Sequence, residues 1–277
     1  LLLWALLLLC GAAAAAEVGV ATLVDPGSRV LRGATWYKLV PGARLEEGDI
    51  LDVADGAQAQ IELSAGSTAN VVGAGLLHIV RAGAGAPATL ALYNAWAKVA
   101  AKTPGVRIQT PQAAVITADG TVVFRSGNSM FVESGAARLI QLTASGSEGP
   151  GHDMKRGEHW SKSASGTYAM VPRAPKEFVE AMPRAYFDAL PVLADRYKAK
   201  PTLVVERDIT YAEAEPWLAG RDRAAFERRF ASRLRDPAFR RAVEPYVARY
   251  PSWDRMLHPE KYAPKPPAAP DLSRKSQ

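Results

Sequence analysis

Ala57-Gln-Ala-Gln-Ile-Glu-Leu63 decides how the long N-terminal part of this chain is read. Ala57, Ala59, Ile61 and Leu63 alternate with Gln58, Gln60 and Glu62, so an extended backbone has one apolar and one polar face. A period of two predicts a strand with one face on a core and the other in water. Asp55-Gly56 precedes it and Ala65-Gly66-Ser67 follows, both turn-forming sequences. Working outward, the same cadence predicts strands at Val18–Val24, Arg29–Arg32, Trp36–Leu39 and Ile50–Val53 on one side. On the other it predicts Thr68–Val72, Leu76–Val80, Thr89–Tyr93, Ala97–Ala101, Val106–Thr110, Ala113–Thr117 and Thr121–Phe124. Met130–Glu133, Ala136–Gln141, His159–Ser163 and Tyr168–Val171 complete the set. Asp25-Pro-Gly27, Pro41-Gly42, Gly48-Asp49, Asp119-Gly120 and Ser134-Gly135 are read as turns, and Gly83–Pro87 and Ser145–Gly151 as loops. Short strands so evenly spaced predict a sandwich, barrel or rolled β-solenoid, not a helix-flanked parallel sheet.

After Val171 the texture becomes helical and arginine-rich. Lys176–Leu190 has apolar residues at helical spacing, interrupted by Pro183, which should kink or divide the helix. Thr210 and Glu213 predict a capping box for Tyr211–Leu218. Phe226, Phe230 and Leu234 form one stripe over Arg221–Arg235, and Asp236-Pro237 restarts a helix with Phe239, Val243, Tyr246 and Tyr250. Charge supports the same division. The net charge of +6 arises wholly from the part after residue 170, where 21 Lys/Arg stand against 15 Asp/Glu. Expected boundaries are 1–16 for a leader, 17–171 for the β module, 172–263 for a basic helical domain and 264–277 for a disordered tail.

The first sixteen residues, Leu1 to Ala16, have the apolar run and small-residue end of a secretory signal, with cleavage expected near Ala14–Ala16. Retention as an anchor and lipidation at Cys10 are the alternatives. Sixteen apolar residues fall short of the roughly 20 a membrane helix needs. Cys10 is the single cysteine, so a chain cleaved there has no disulfide and no thiolate metal site. No later stretch is apolar enough to span a membrane, and the expected location is the periplasm.

The strands and turns together resemble the FecR domain. The resemblance rests on Arg32-Gly33, then Pro41-Gly-Ala-Arg-Leu45 and Gly48-Asp49-Ile50, then Gly56 to Leu63 and Gly66-Ser67. It continues through Val106 to Pro111, Asp119-Gly120-Thr121, Ser134-Gly135 and Lys155-Arg-Gly157-Glu158, covering roughly residues 18–165. It implies an all-β, envelope-facing module, a rolled sandwich or solenoid of short strands, that passes signals or mediates contacts without established catalytic residues. Gly48, Asp49, Gly66, Ser67, Gly120 and Thr121 carry its turn motif. Leu51-Asp52 departs from the family's usual Thr. Sigma-regulating members carry a cytoplasmic segment and a membrane helix ahead of the β domain, whereas here the leader runs straight into it, so an anti-sigma role is not expected.

No nucleophile elbow, zinc-protease motif, phosphate loop or dinucleotide fingerprint occurs, and no cofactor is expected. His78, His152, His159 and His258 are scattered without metal-ligand spacing, and His152-Asp153 is read as a turn. Asp49, Asp52 and Asp55 do not match a calcium loop and are read as solvated turn residues. Trp36, Tyr37, Tyr93 and Trp96 are read as core and rim aromatics in preference to a sugar-stacking surface. The arginines after residue 220, above all Arg228, Arg229, Arg233, Arg240 and Arg241, are either a solvated face or a surface for an anionic partner. Such a partner would be an envelope protein, a cell-envelope polymer or lipid headgroups, and export disfavours nucleic acid. The expected function is a non-enzymatic periplasmic binding, scaffold or signalling-associated protein. The alternative is an envelope carbohydrate hydrolase using the acidic loop residues Glu46, Glu47 and Asp49.

Overall fold

A computed structural model describes residues 16–83, 85–125, 128–143, 146–163 and 167–263. The leader and the C-terminal tail thus lie outside the described residues, apart from Ala16. The first strands are β1 (Glu17–Val24), β2 (Arg29–Arg32), β3 (Thr35–Lys38), β4 (Arg44–Glu46), β5 (Ile50–Val53) and β6 (Gln58–Leu63). Next come β7 (Thr68–Val72), β8 (Gly75–Arg81), β9 (Ala88–Tyr93), β10 (Trp96–Ala101), β11 (Val106–Gln109) and β12 (Ala113–Thr117). The last are β13 (Gly120–Arg125), β14 (Ser129–Leu142), β15 (Glu148–Lys155), β16 (His159–Lys162), β17 (Tyr168–Val171) and β18 (Val204–Asp208).

Two sheets result. The first runs β4-β1-β6-β7-β10-β13-β14-β16-β17, antiparallel throughout. The second runs β18-β3-β2-β5-β8-β9-β11-β12-β14-β15, antiparallel except for the β9–β11 pair. Their inner faces share one apolar core, with Ile61, Val71, Val99 and Phe124 from the first and Val30, Leu51, Leu77 and Ile108 from the second. The expected β module followed by a small helical region is what the chain forms, and its β part is a two-sheet sandwich.

β14 belongs to both sheets. Its first half pairs with β13 and β16, and its second half with β12 and β15. Ser134-Gly135, expected to be a turn between two strands, is instead the bend at which one strand changes sheets. Gly135 has φ of +68°, and a Cβ there would stand 2.3 Å from the Asp119 carbonyl oxygen and 2.8 Å from Gly120 Cα. Two glycine backbones pass at this corner because no side chain fits between them. Glu148–Gly151, expected in a loop, and His152-Asp153, expected in a turn, lie in β15 paired with β14. β4 and β18 were not expected as strands. β4 is three residues long and β18 stands beyond the change of texture.

The division between compact units also differs from the expected 171/172. One unit ends at Asp208 and the other begins at Ile209. Residues 172–203 belong to the β unit because they lie along the outer face of its first sheet, and β18 then pairs with β3. Pro183 divides this segment as expected, giving α1 (Lys176–Ala181) and a 3-10 turn at Arg184–Tyr186.

The second unit contains α2 (Tyr211–Leu218), α3 (Arg223–Phe230), α4 (Pro237–Val243) and α5 (Pro251–Leu257). Thr210 and Glu213 form the reciprocal capping box, and Asp236 caps α4 through the Ala238 amide. The stripe Phe226, Phe230, Leu234, Phe239 and Val243 is buried, so it is core packing. The helix expected over Arg221–Arg235 is shorter, passing into a 3-10 turn at Ala231–Arg235. Among the described residues, no helix is long and apolar enough to cross a membrane.

Gly135→Ala should cost about 3 kcal/mol or more, combining the left-handed penalty with an unavoidable backbone clash. Gly33→Ala should cost only about 1–2 kcal/mol, since φ is +59° but nothing lies within 4 Å of the added Cβ. Urea denaturation of both variants checks this. Equal losses would remove the corner argument.

Candidate functional site

The polar face of Ala57–Leu63 is not in water. Gln60 is 0% and Glu62 5% exposed, although both point away from the core. The registers place Val171, His159, Phe131, Val123, Lys98, Asn70 and Gln60 opposite one another in a line across the first sheet. From Phe131 to Gln60, the residues on either side of each, such as Ala97 and Val99 around Lys98, face the core. The outer line is therefore apolar at its β16 end and polar at its β6 end. Segment 172–203 covers it as a strap.

At the apolar end, Phe178 of α1 packs with Trp96, Phe131 and His159 at ring-centroid distances of 5.1, 6.4 and 4.8 Å. Farther along, the buried Tyr186 hydroxyl donates to the Asn70 carbonyl at 2.8 Å, with the Trp96 carbonyl at 3.2 Å. Burial pushes this phenol well above its ordinary range. Lys98, 1% exposed, donates to the carbonyls of Tyr186 (2.9 Å) and Asp188 (2.8 Å) and pairs with Glu133 at 2.7 Å. These three partners match the three ammonium donors. Gln60 Nε2 donates to the Pro191 carbonyl at 2.8 Å. The Glu62 carboxylate accepts the Leu193 and Ala194 amides at 2.7 and 3.1 Å. Tyr197 then donates to the Thr22 carbonyl at 2.7 Å, and Arg44 donates to the Tyr197 carbonyl at 2.6 Å. Apart from the two aromatic anchors, the sheet thus holds the strap largely by its main chain.

His159 is 3% exposed, and among the described residues neither ring nitrogen has a hydrogen-bond partner. Its desolvation lowers the imidazole from 6.5 to about 4. Arg125 and Lys162 line the shallow cavity beside it, together with Glu177 from α1.

The turn-motif residues occupy structural positions. Gly48 has φ of +90°, and its amide donates to the Ile79 carbonyl at 2.7 Å, stitching the turn to β8. Asp49 is not a solvated turn residue. It is 1% exposed, receives Arg32 at 3.0 Å (Nε) and 2.6 Å (Nη2), and accepts the Glu46 amide at 2.9 Å. Burial opposes the Arg32 charge, but Asp49 and Glu46 outweigh it and leave the guanidinium's pKa above its ordinary value. Asp52 pairs with Arg29 at 2.9 Å, while Asp55 is exposed. Ser67, after the Gly66 turn, exchanges hydrogen bonds with the backbone of Lys102 at 2.9 and 3.2 Å. Thr121 lies opposite Ser134, next to the Gly120–Gly135 corner.

The carboxylates proposed for glycoside cleavage have other tasks. Glu46 pairs with Arg32 Nη1 at 2.7 Å, and Glu47 accepts the Ala82 amide at 3.3 Å. Glu46 and Asp49 thus brace one guanidinium, and Glu47 ties down the adjoining loop. Trp36 is buried beneath the Arg29 guanidinium, and Trp96 packs on Phe178.

The candidate arginines separate into two sets. Arg229 lies over Phe226 and Phe230, and Arg233 bonds Asp236 and the Ile209 carbonyl, so both serve the helical fold. Arg228, Arg240 and Arg241 are exposed, on α3 and α4. A different trio, Arg221, Arg223 and Arg249, lines an open cleft of about 660 Å³ between the end of α2 and the starts of α3 and α5, with Arg223 paired to Glu227 at 3.3 Å. Among the described residues, no group of His, Cys, Asp and Glu could hold a metal ion.

No protein-family model matches the chain, and no curated protein matches it. Solved structures that resemble it include two crystal structures of a "putative anti-sigma factor" from Parabacteroides distasonis, at 1.65 and 2.50 Å resolution. Both have a TM-score of 0.39, with 10% and 11% identity, covering 45% of this chain and 59% of the other. At this distance the likeness establishes neither a family nor an activity.

Asp49→Ala should destabilise the β unit by about 2–4 kcal/mol, because the half-buried Arg32 loses its bidentate partner. Chemical denaturation checks this, and a loss below about 0.5 kcal/mol would contradict the brace. For His159 the folded pKa is depressed, so the unfolded chain binds the extra proton. Stability is therefore full above the ordinary pKa of 6.5 and falls as pH drops towards about 4. His159→Phe should remove that part of the slope. An unchanged profile would count against a buried neutral imidazole.

Proposed function

We propose that this protein is a non-catalytic binding or scaffold module of the cell envelope, FecR-like in its β unit, that takes an anionic partner on its helical unit. The exposed positions of Arg228, Arg240 and Arg241, unlike Arg229 over its phenylalanines and Arg233 in its hydrogen bonds, carry this reading. The cleft arginines Arg221, Arg223 and Arg249 add positive charge to the same unit. Guanidinium groups suit phosphate and carboxylate groups because their donors form a planar fork. A periplasmic location is part of the proposal and follows from the leader sequence. The hydrolase alternative is not carried forward, because its three carboxylates brace the Arg32 turn and the adjoining loop.

Mixed phosphatidylcholine and phosphatidylglycerol vesicles provide the test. The chain should bind them, and added salt should weaken binding. Each exposed arginine contributes roughly 1 kcal/mol near an anionic surface, so reversing Arg228, Arg240 and Arg241 to Glu should weaken binding at least tenfold. Unchanged binding, or binding insensitive to salt, would overturn the basic-surface reading.

A further inference from the structure

We propose that the outer face of the first sheet is a groove for a polypeptide segment, and that segment 172–203 fills it in cis as an exchangeable strap. The occupant in trans would be a segment of a partner protein that repeats the strap's chemistry. It would carry two aromatic anchors eight residues apart, as Phe178 and Tyr186 are, followed by an extended stretch with accessible carbonyls and amides. This inference concerns the β unit alone and goes beyond the basic helical surface.

Three observations support it. First, the sheet recognises main chain. Lys98 and Gln60 donate to strap carbonyls, and Glu62 accepts strap amides. Such contacts do not depend on which side chain the occupant carries, as when strands are added to sheets. The strap's prolines at 172, 175, 183, 191 and 201 favour extended backbone, which lowers the entropy lost on docking.

Second, the strap lies outside the core between the sheets. Phe178 and Tyr186 are its buried large side chains, whereas Phe187 is 49% and Val192 65% exposed. Of its residues only the partly buried Leu203 packs against the core cluster between the sheets, while Phe178 and Tyr186 form a separate cluster with Val123. Release would leave that core closed, and water could hydrate Lys98, Asn70, Gln60 and Glu62. A face requiring permanent cover would be expected to carry apolar side chains along its whole length.

Third, the cis fit is incomplete. Gln60 Oε1 and Asn70 Oδ1 are buried without a hydrogen-bond donor among the described residues. The strap has proline at 191, beside Gln60, and so lacks an amide N–H there. A segment with an amide at that position would satisfy the groove more fully.

The test uses the full chain with Phe178→Ser, which loosens the strap, and a fluorescent peptide spanning residues 174–198. The variant should bind the peptide at least tenfold more tightly than the unaltered chain, and adding Lys98→Met should reverse that gain. No peptide binding by a cooperatively folding variant would overturn the proposal. So would affinity unaffected by Lys98→Met. Should the variant fail to fold, hydrogen exchange in the unaltered chain decides. The Leu193 and Ala194 amides should exchange at least tenfold faster than those of Ala69 and Val99 in the sheet beneath. Equal rates would show that the strap opens only with global unfolding and would overturn the proposal. Concentration-dependent dimers that excess peptide cannot dissolve would also overturn it, in favour of strap exchange between copies.

Discussion

The Lys98 ammonium fixes the course of the chain across the first sheet. It is buried between the β10 backbone and the strap, and it bonds two strap carbonyls and Glu133. A buried charge persists only where its donors are satisfied, because its desolvation is otherwise costly. The strap must therefore follow a path that brings the carbonyls of residues 186 and 188 to one point. Tyr186 lies over Asn70, and the chain beyond it reaches Gln60, Glu62 and Thr22 in turn. One cation thus links the sandwich to the segment that closes its outer face.

The two faces of the first sheet use different physics. Inside, Ile61, Val71 and Val99 meet the second sheet in a buried apolar core. Outside, polar side chains bond to backbone atoms of the strap, which water could replace at little net cost. The inner face supplies the apolar core, and the outer face holds the strap by its main chain. In the helical unit, Phe230, Phe239 and Trp253 form the core while the arginines lie at its edge. The two units thus differ in what they expose, and the proposed occupants are a polypeptide for the β unit and an anionic partner for the helical unit.

Most strands were legible because short-range alternation and turn residues specify them. Arg29–Arg32, Ile50–Val53, Thr68–Val72, Ala113–Thr117 and Tyr168–Val171 have the ends their sequence implies. The capping box at Thr210 and the break at Pro183 were legible for the same local reasons. What depends on distant partners was not. Alternation at Gln60 and Glu62 marks a polar face but does not reveal that the chain returns from residue 191 to cover it. Asp49 looked like an ordinary turn residue because Arg32 meets it only after folding. Gly135 looked like a hairpin, since a strand that changes sheets needs the same backbone freedom as a turn. His159 gave no signal at all, and its burial depends on Phe178 arriving from α1. Among the arginines, composition could not separate Arg233, tied to the Ile209 carbonyl and Asp236, from exposed Arg240.

The most direct measurement is the proton exchange of the Lys98 side-chain ammonium in the ¹⁵N-labelled full chain at neutral pH. A buried ammonium with three fixed acceptors should give a resolved signal that exchanges slowly with water and disappears in Lys98→Met. Exchange as fast as that of the exposed lysines, such as Lys176, would contradict the buried anchor and the path of the strap that depends on it.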